Sequence, residues 1–279
     1  SHERDEAPTR SGSTVSGLTY SQFHLGFLLP LLGVLVATAT VTRSRTTRPT
    51  VWSIGAPVYW VGVALVTFVA VLYTTPWDNY LIARGVWSYG EGTTVANIWL
   101  VPVGEYLFFV FQPFLTALWL GQLTLRRGWP EARALVKGAD GSRAIEFDKF
   151  AVVPRLLAGV TAVSIGLGGA NLLATAETFY LGAILAWAAP VLFIQWVVGV
   201  PQLLYQRRTV ALGVAVPTLY LWVADRIAIA IGIWEISPTY TTGITLLGLP
   251  IEEALFFLVT NLFVVQGLVL FRWLLDQWA

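Results

Sequence analysis

Seven apolar runs follow one another along this chain, at about 22–42, 54–76, 98–122, 151–173, 178–200, 209–233 and 246–271. About twenty apolar residues wound as helix cross roughly 30 Å of hydrocarbon, so each run is long enough to span a bilayer. The composition agrees: 12% of the 279 residues are charged and 56% hydrophobic, with a mean hydropathy of +0.68, where a soluble domain carries about a quarter charged residues. The expected fold is an all-α integral membrane protein with seven transmembrane helices.

The basic residues set the expected topology. With odd spans running from one face to the other and even spans returning, one face receives Arg43, Arg45, Arg48, Arg126, Arg127, Arg133, Lys137, Arg143, Lys149, Arg155, Arg207, Arg208 and Arg272. The opposite face keeps Arg4, Arg10 and Arg84, and Arg226 lies within a span. Positive charge collects on the cytoplasmic side, which puts the amino terminus outside a cell membrane and the carboxyl terminus inside. Residues 1–20 are polar and lack a basic segment followed by an apolar one, so they read as a disordered tail and not a signal peptide. The stretch 126–149 mixes charge signs around a Gly-Ala-Asp-Gly-Ser turn and reads as a solvated cytoplasmic loop.

Several chemistries are excluded by what the chain lacks. It has no cysteine, which removes disulfides, thiolate catalysis and Cys-ligated metals. Its two histidines, His2 in the tail and His24 at the start of the first span, do not make an imidazole cluster, so no metal is expected. A net charge of +1 gives no electrostatic case for nucleic acid. There is no Gly-rich nucleotide loop and no paired-aspartate repeat to hold magnesium on a diphosphate, and nothing implies a redox cofactor. The glycines of SIGLGGANLL (164–173) lie within a span, where small residues let helices approach.

Self-similarity within the chain is more informative. Asp78, Trp87, Pro102, Glu105 and Phe108-Phe109 are matched by Asp225, Trp234, Pro250, Glu253 and Phe256-Phe257, at an offset of 147 residues for the first two landmarks and 148 from the proline onward. Two copies of a three-helix unit are therefore expected, residues 21–125 and 175–279, joined by the loop and a linker helix at 150–174. One span lies between the copies, so they share an orientation, as a parallel repeat about the membrane normal. Packed face to face, they would bring Glu105, Glu252 or Glu253, Asp78 and Asp225 into one intramembrane cavity. Ionisable groups inside spans cost roughly 2.5–3.5 kcal/mol each on insertion scales and so tend to face an interior with a function; the structural alternative is an Asp225 paired with Arg226 to hold helices together.

If helices begin at Pro102 and Pro250, where a missing amide hydrogen costs nothing, the glutamates fall in the first turn. The helix amino terminus favours a carboxylate by about 0.3–1 kcal/mol, and burial in hydrocarbon disfavours it by more. At least one glutamate is thus expected to stay protonated beside a second carboxyl, as an acid next to a base. Phe108, Phe109, Phe256 and Phe257 follow the acids at three- or four-residue spacing, so some share the acid-bearing faces, with Trp77, Tyr80, Trp87 and Trp234 near the same membrane face. Aromatic faces stabilise cations, although Trp and Tyr also gather at membrane interfaces for no catalytic reason. A buried proton donor, a second carboxylate and an aromatic cavity suit proton-initiated chemistry on a hydrophobic alkene.

The segments IWLVPVGEYLFF (98–109) and LGLPIEEALFF (247–257), the acids of WDNYL (77–81) and ADRIA (224–228), and seven spans in tandem halves resemble the membrane lycopene cyclases. These are the fused archaeal counterparts of heterodimeric bacterial enzymes, similar also to the cyclase domain of fungal bifunctional carotenoid enzymes. The resemblance covers about residues 20–275. It implies cyclisation of the ends of lycopene to give β-carotene without a cofactor, as an intramolecular lyase or isomerase. A protonated acid would add a proton at C2, the ring would close through a cation at C5, and a base would remove the C6 proton. It further implies membrane lipid, a linear carotenoid and other membrane enzymes of the same pathway as partners. Carried onto this chain, the catalytic candidates are Glu252, Glu253, Glu105, Asp78 and Asp225. The four phenylalanines, Trp77, Tyr80, Trp87, Trp234, Asn79, Arg226 and Gly104 are candidates for holding substrate or stabilising the cation. Gly104 stands where the fuller motif has its first glutamate, which either makes this copy less directly catalytic or leaves room for the polyene beside Glu252. Ring closure of ε or γ type, or on a longer C50 carotenoid, uses the same acid chemistry and stays open; a proton-coupled transporter is the alternative of another class.

Overall fold

The computed structural model describes residues 18–45, 56–127 and 149–278. The tail read over 1–20 lies outside them as far as residue 17, and the loop read over 126–149 lies outside them for 128–148. Among the described residues, seven helices are long and apolar enough to cross a membrane. The first span opens as α1 (Tyr20–Phe23), passes through a π-helical turn (His24–Leu28) and continues as α2 (Leu29–Arg45). The others are α3 (Pro57–Ala83), α4 (Val103–Arg127), α5 (Lys149–Leu172), α6 (Phe179–Tyr205), α7 (Arg207–Ala230) and α8 (Ile251–Trp278).

Of these, α4 and α8 are the most enclosed and α5 the least. A buried polar cluster pins α4, α7 and α8 together: Gln112 Nε2 and Thr116 Oγ1 donate to Asn261 Oδ1 (2.7 and 2.5 Å), and Asn261 Nδ2 donates to Thr218 Oγ1 (3.0 Å). In lipid, where apolar contact alone gives helices no preference for each other over acyl chains, such bonds fix the packing. The expected close approach through glycines is present between α5 and α6. A Cβ at Gly169 would lie 2.6 Å from Ala186 N, and one at Gly182 would lie 2.7 Å from Gly169 O.

Two departures from the sequence reading concern helix ends. The second span was expected to stop near residue 76, but α3 runs on through Pro76 to Ala83, which brings Asp78 inside a helix. Proline interrupts the ladder without ending a helix packed among others. The prolines 102 and 250 do not open helices. They close the short strands β3 (Val101–Pro102) and β6 (Leu249–Pro250), which pair antiparallel with β2 (Asn97–Ile98) and β5 (Thr245–Leu246). The next amides, Val103 N and Ile251 N, donate to Ala96 O (2.8 Å) and Ile244 O (3.0 Å), so each hairpin satisfies a helix-start donor that would otherwise be orphaned. The glutamates still fall in the first turns of α4 and α8.

A third ribbon was not foreseen. β1 (Trp87–Tyr89) and β4 (Trp234–Ile236), from loops far apart in sequence, pair antiparallel with Trp87 opposite Ile236 and Tyr89 opposite Trp234. Strand alternation turns these four inward and Ser88 and Glu235 outward. The start of the first span is tied to the same region. Thr19 and Gln22 form a capping box at its start, and Tyr20 N donates to Thr93 O at 2.8 Å.

Candidate active site

Beneath the β1–β4 ribbon lies a cavity of about 60 Å³, walled by α1, α3, α4, the start of α6, α7 and α8. Four acids line it: Asp78, Glu105, Asp225 and Glu253. Around them stand Trp77, Trp87 and Trp234, the four phenylalanines Phe108, Phe109, Phe256 and Phe257, and Tyr20, Phe23 and Tyr180. Among the described residues, no Lys or Arg lines it. Two of the acids arrive by a simple local rule. Glu105 and Glu253 are the third residues of their helices, and the phenylalanines follow one turn later on the same face.

The hydrogen bonds differ from acid to acid. Tyr180 donates from its hydroxyl to Glu253 Oε1 at 2.6 Å, and Tyr89 donates to Glu105 Oε1 at 3.0 Å. Trp234 Nε1 donates to Asp225 Oδ1 at 3.0 Å. Among the described residues, Asp78 Oδ2 and Asp225 Oδ2 are buried with no hydrogen-bond partner. Among the described residues neither aspartate forms an ion pair. Burial pushes the Tyr89 phenol well above its ordinary value, and the Glu105 carboxyl adds to the effect, so Tyr89 remains a donor.

Other expected members are elsewhere. Glu252 is fully buried but does not line the cavity; its Oε1 accepts from Thr242 N (2.7 Å) and Thr242 Oγ1 (2.8 Å), holding the loop ahead of β5. Successive residues of a helix point about 100° apart, and here that rotation carries Glu252 to the Thr242 loop while Glu253 faces the chamber. Gly104 leaves room for Tyr20 and not for substrate beside Glu252: a Cβ there would lie 2.4 Å from the Tyr20 ring, and His24 Nε2 donates to Gly104 O at 2.8 Å. Tyr80 is half exposed and packs near Phe179. Asn79 Oδ1 accepts from Leu100 N (3.0 Å) in the β2–β3 turn. Arg226 is exposed and lies against Gly248 of the β5–β6 turn, so it holds a hairpin and does not pair with Asp225.

Three phenols, Tyr20, Tyr89 and Tyr180, escaped the sequence reading. Tyr89 was within reach, because Trp-Ser-Tyr and Trp-Glu-Ile share the two-residue alternation of a strand. Tyr20 and Tyr180 each stand near the opening of the helix read as first in its unit, but nothing in their spacing singles them out.

Fold and site together define a seven-span helical membrane protein with a carboxyl-lined aromatic chamber closed by a β-ribbon. Over 220 residues, 78% of this chain and 84% of the relative, the sequence is 53% identical to a lycopene beta-cyclase of Halobacterium salinarum. It is 34% identical over 266 residues to a bifunctional lycopene cyclase/phytoene synthase of Gibberella fujikuroi, covering 91% of this chain and 40% of that protein. A protein of the same description from Aspergillus niger is 35% identical over 210 residues, 74% of this chain and 34% of its own length. No family model and no solved structure matches the chain. The chain belongs to the membrane lycopene cyclase family.

Proposed function

We propose that this protein converts lycopene to β-carotene by proton-initiated, redox-neutral cyclisation of the linear end groups, as an intramolecular lyase or isomerase. The observation that carries the reading is the convergence of Asp78, Glu105, Asp225 and Glu253 on one aromatic chamber without a lining cation, in a chain 53% identical to a lycopene beta-cyclase. Four ionised carboxyls cannot share such a space, because like charges in a low dielectric force at least some of the group to hold protons.

In this reading Glu253 is the proton donor. The Tyr180 hydroxyl occupies its Oε1, which leaves the proton on the other oxygen and turned to the chamber. That proton adds to C2 of the end group, and the electron pair of the C1–C2 double bond forms the new C–H bond. The C5–C6 double bond then attacks the cation at C1, closing the ring and leaving a cation at C5. The faces of Phe108, Phe109, Phe256, Phe257, Trp77, Trp87 and Trp234 stabilise it. Glu105 removes the C6 proton, and the released electron pair forms the ring double bond. One proton enters and one leaves, so the net reaction is an isomerisation, and the carboxyls exchange a proton before the next turnover. Asp78 and Asp225 tune the two glutamates as neutral or hydrogen-bonded neighbours.

Purified protein given lycopene in D₂O, with no nucleotide and no ion gradient, should form two-ring pigment carrying one deuterium per ring at C2. Unlabelled product would overturn proton initiation, and absence of any turnover would favour a transporter. Pigment identification separates β rings from ε or γ rings. Tyr180→Phe removes one hydrogen bond from the donor; at about 0.5–1.5 kcal/mol, turnover should fall by roughly two- to tenfold, read from initial rates with the protein still folded.

A further inference from the structure

A second cavity, of about 350 Å³, opens between α3 and α6 with α8 as its floor. On α8 its lining residues are Phe256, Thr260, Phe263, Gly267, Leu270 and Leu274 among others, one stripe at helical spacing. From Phe256 to Leu274 that stripe covers about 27 Å of helix, close to the ~30 Å depth of a bilayer core. The walls are apolar on both sides, with Leu65 and Val69 on α3 facing Ile194 and Val198 on α6, and all four reach the lipid-facing surface. At the chamber end α3 and α6 are tied together: Tyr73 donates from its hydroxyl to Trp187 O (2.8 Å), and Trp77 Nε1 donates to Ala183 O (3.3 Å). Below those ties the groove lies between the two helices.

The groove and the acid chamber adjoin. Thr74, Phe108, Phe109 and Phe256 line both. The chamber alone, at about 60 Å³, is smaller than the ~150 Å³ of a cavity that holds a benzene molecule. An end group that crosses the junction formed by these four residues reaches the acids with the rest of its chain extended into the groove.

We infer that the α3–α6 groove is the binding site for the polyene chain of the substrate, and that the substrate enters laterally from lipid through it, presenting one end group at a time to the chamber. This rests on the cyclase reading of the chamber. A membrane-deep apolar slot fits an extended, methyl-branched polyene, and the residues it shares with the acid chamber distinguish it from an ordinary lipid-facing crevice. In this assignment the substrate withdraws and turns around between its two ring closures, so a one-ring pigment is an intermediate that leaves the site.

The test fills the groove from its rim. Ile194→Trp on α6 and Ala70→Trp on α3 each place an indole in the slot from opposite walls; Leu72→Trp puts the same indole on α3 at an exposed position that does not line it. Lycopene conversion is measured in membranes of each variant. Retention of lycopene is measured separately, by co-purification with the same substitutions combined with Glu253→Gln. The two groove variants should lose conversion by about tenfold or more and retain less lycopene, with one-ring pigment enriched among the remaining product, while Leu72→Trp matches the parent in both readouts. Groove variants that convert and retain lycopene as the parent does would overturn the assignment, as would retention of phospholipid alone at the groove. If the parent retains lycopene through the groove but forms no ring, the cyclase reading falls and the binding site stands.

Discussion

Glu253→Gln is expected to abolish ring formation while leaving the protein folded. Glutamine has the same shape and keeps an oxygen to accept from Tyr180, so the hydrogen bond seen at Glu253 Oε1 survives. It has no acidic proton to give to an alkene. A general acid contributes about 10²–10⁴-fold, and no other lining group is placed identically, so lycopene conversion should drop by that factor when pigments are separated after incubation with purified protein. Glu252→Gln supplies the contrast. Its side-chain oxygen would still accept from Thr242, and since Glu252 does not line the chamber, conversion should remain close to that of the parent. Loss of conversion in Glu252→Gln with little change in Glu253→Gln would reverse the two assignments.

Gly104→Ala should be disproportionately harmful for a change of one methyl group. The new Cβ would meet the Tyr20 ring at 2.4 Å, and Tyr20 is buried against His24 and Trp234, with ring centroids 4.6 and 4.9 Å away. Overpacking of that kind costs about 1–3 kcal/mol, and it would push the first span off the chamber. The expected result is a lower thermal midpoint in detergent together with a loss of activity, and Gly104→Glu should be worse because a carboxyl would be forced into the same space. Tyr20→Ala removes the obstacle, so Gly104→Ala in that background should cost much less. Additive losses in the double-mutant cycle would mean that the two residues do not compete for one site.

These two positions show how far sequence alone carries. Both copies of the motif were visible in it, and so was the fact that Gly104 and Glu252 stand at the same step before Glu105 and Glu253. The role of that step was not. In α8 it points to Thr242, and in α4 it is occupied from outside by Tyr20. The partner in the second case lies more than eighty residues away, at the start of the first span, where nothing in the local sequence points to Gly104. Asn79 and Arg226 follow the same pattern. Each comes one residue after a chamber aspartate, and one position of a helix turns a side chain by about 100°, enough to take it out of the site and against a hairpin.

What the sequence determined was everything that depends on local physical chemistry. Twenty-residue apolar runs have to be spans because hydrocarbon has that thickness, and acids within them have to be gathered because each is costly alone. The tertiary structure decided which acids meet and what closes over them. The β1–β4 ribbon joins Tyr89 to Trp234 across 145 positions of chain, and Tyr180 reaches Glu253 from another helix 73 residues away. No periodicity records such pairs, because a three-residue alternation marks a strand without naming its partner, and a single hydrogen bond between helices depends on their rotation and depth, quantities set only when the whole bundle packs.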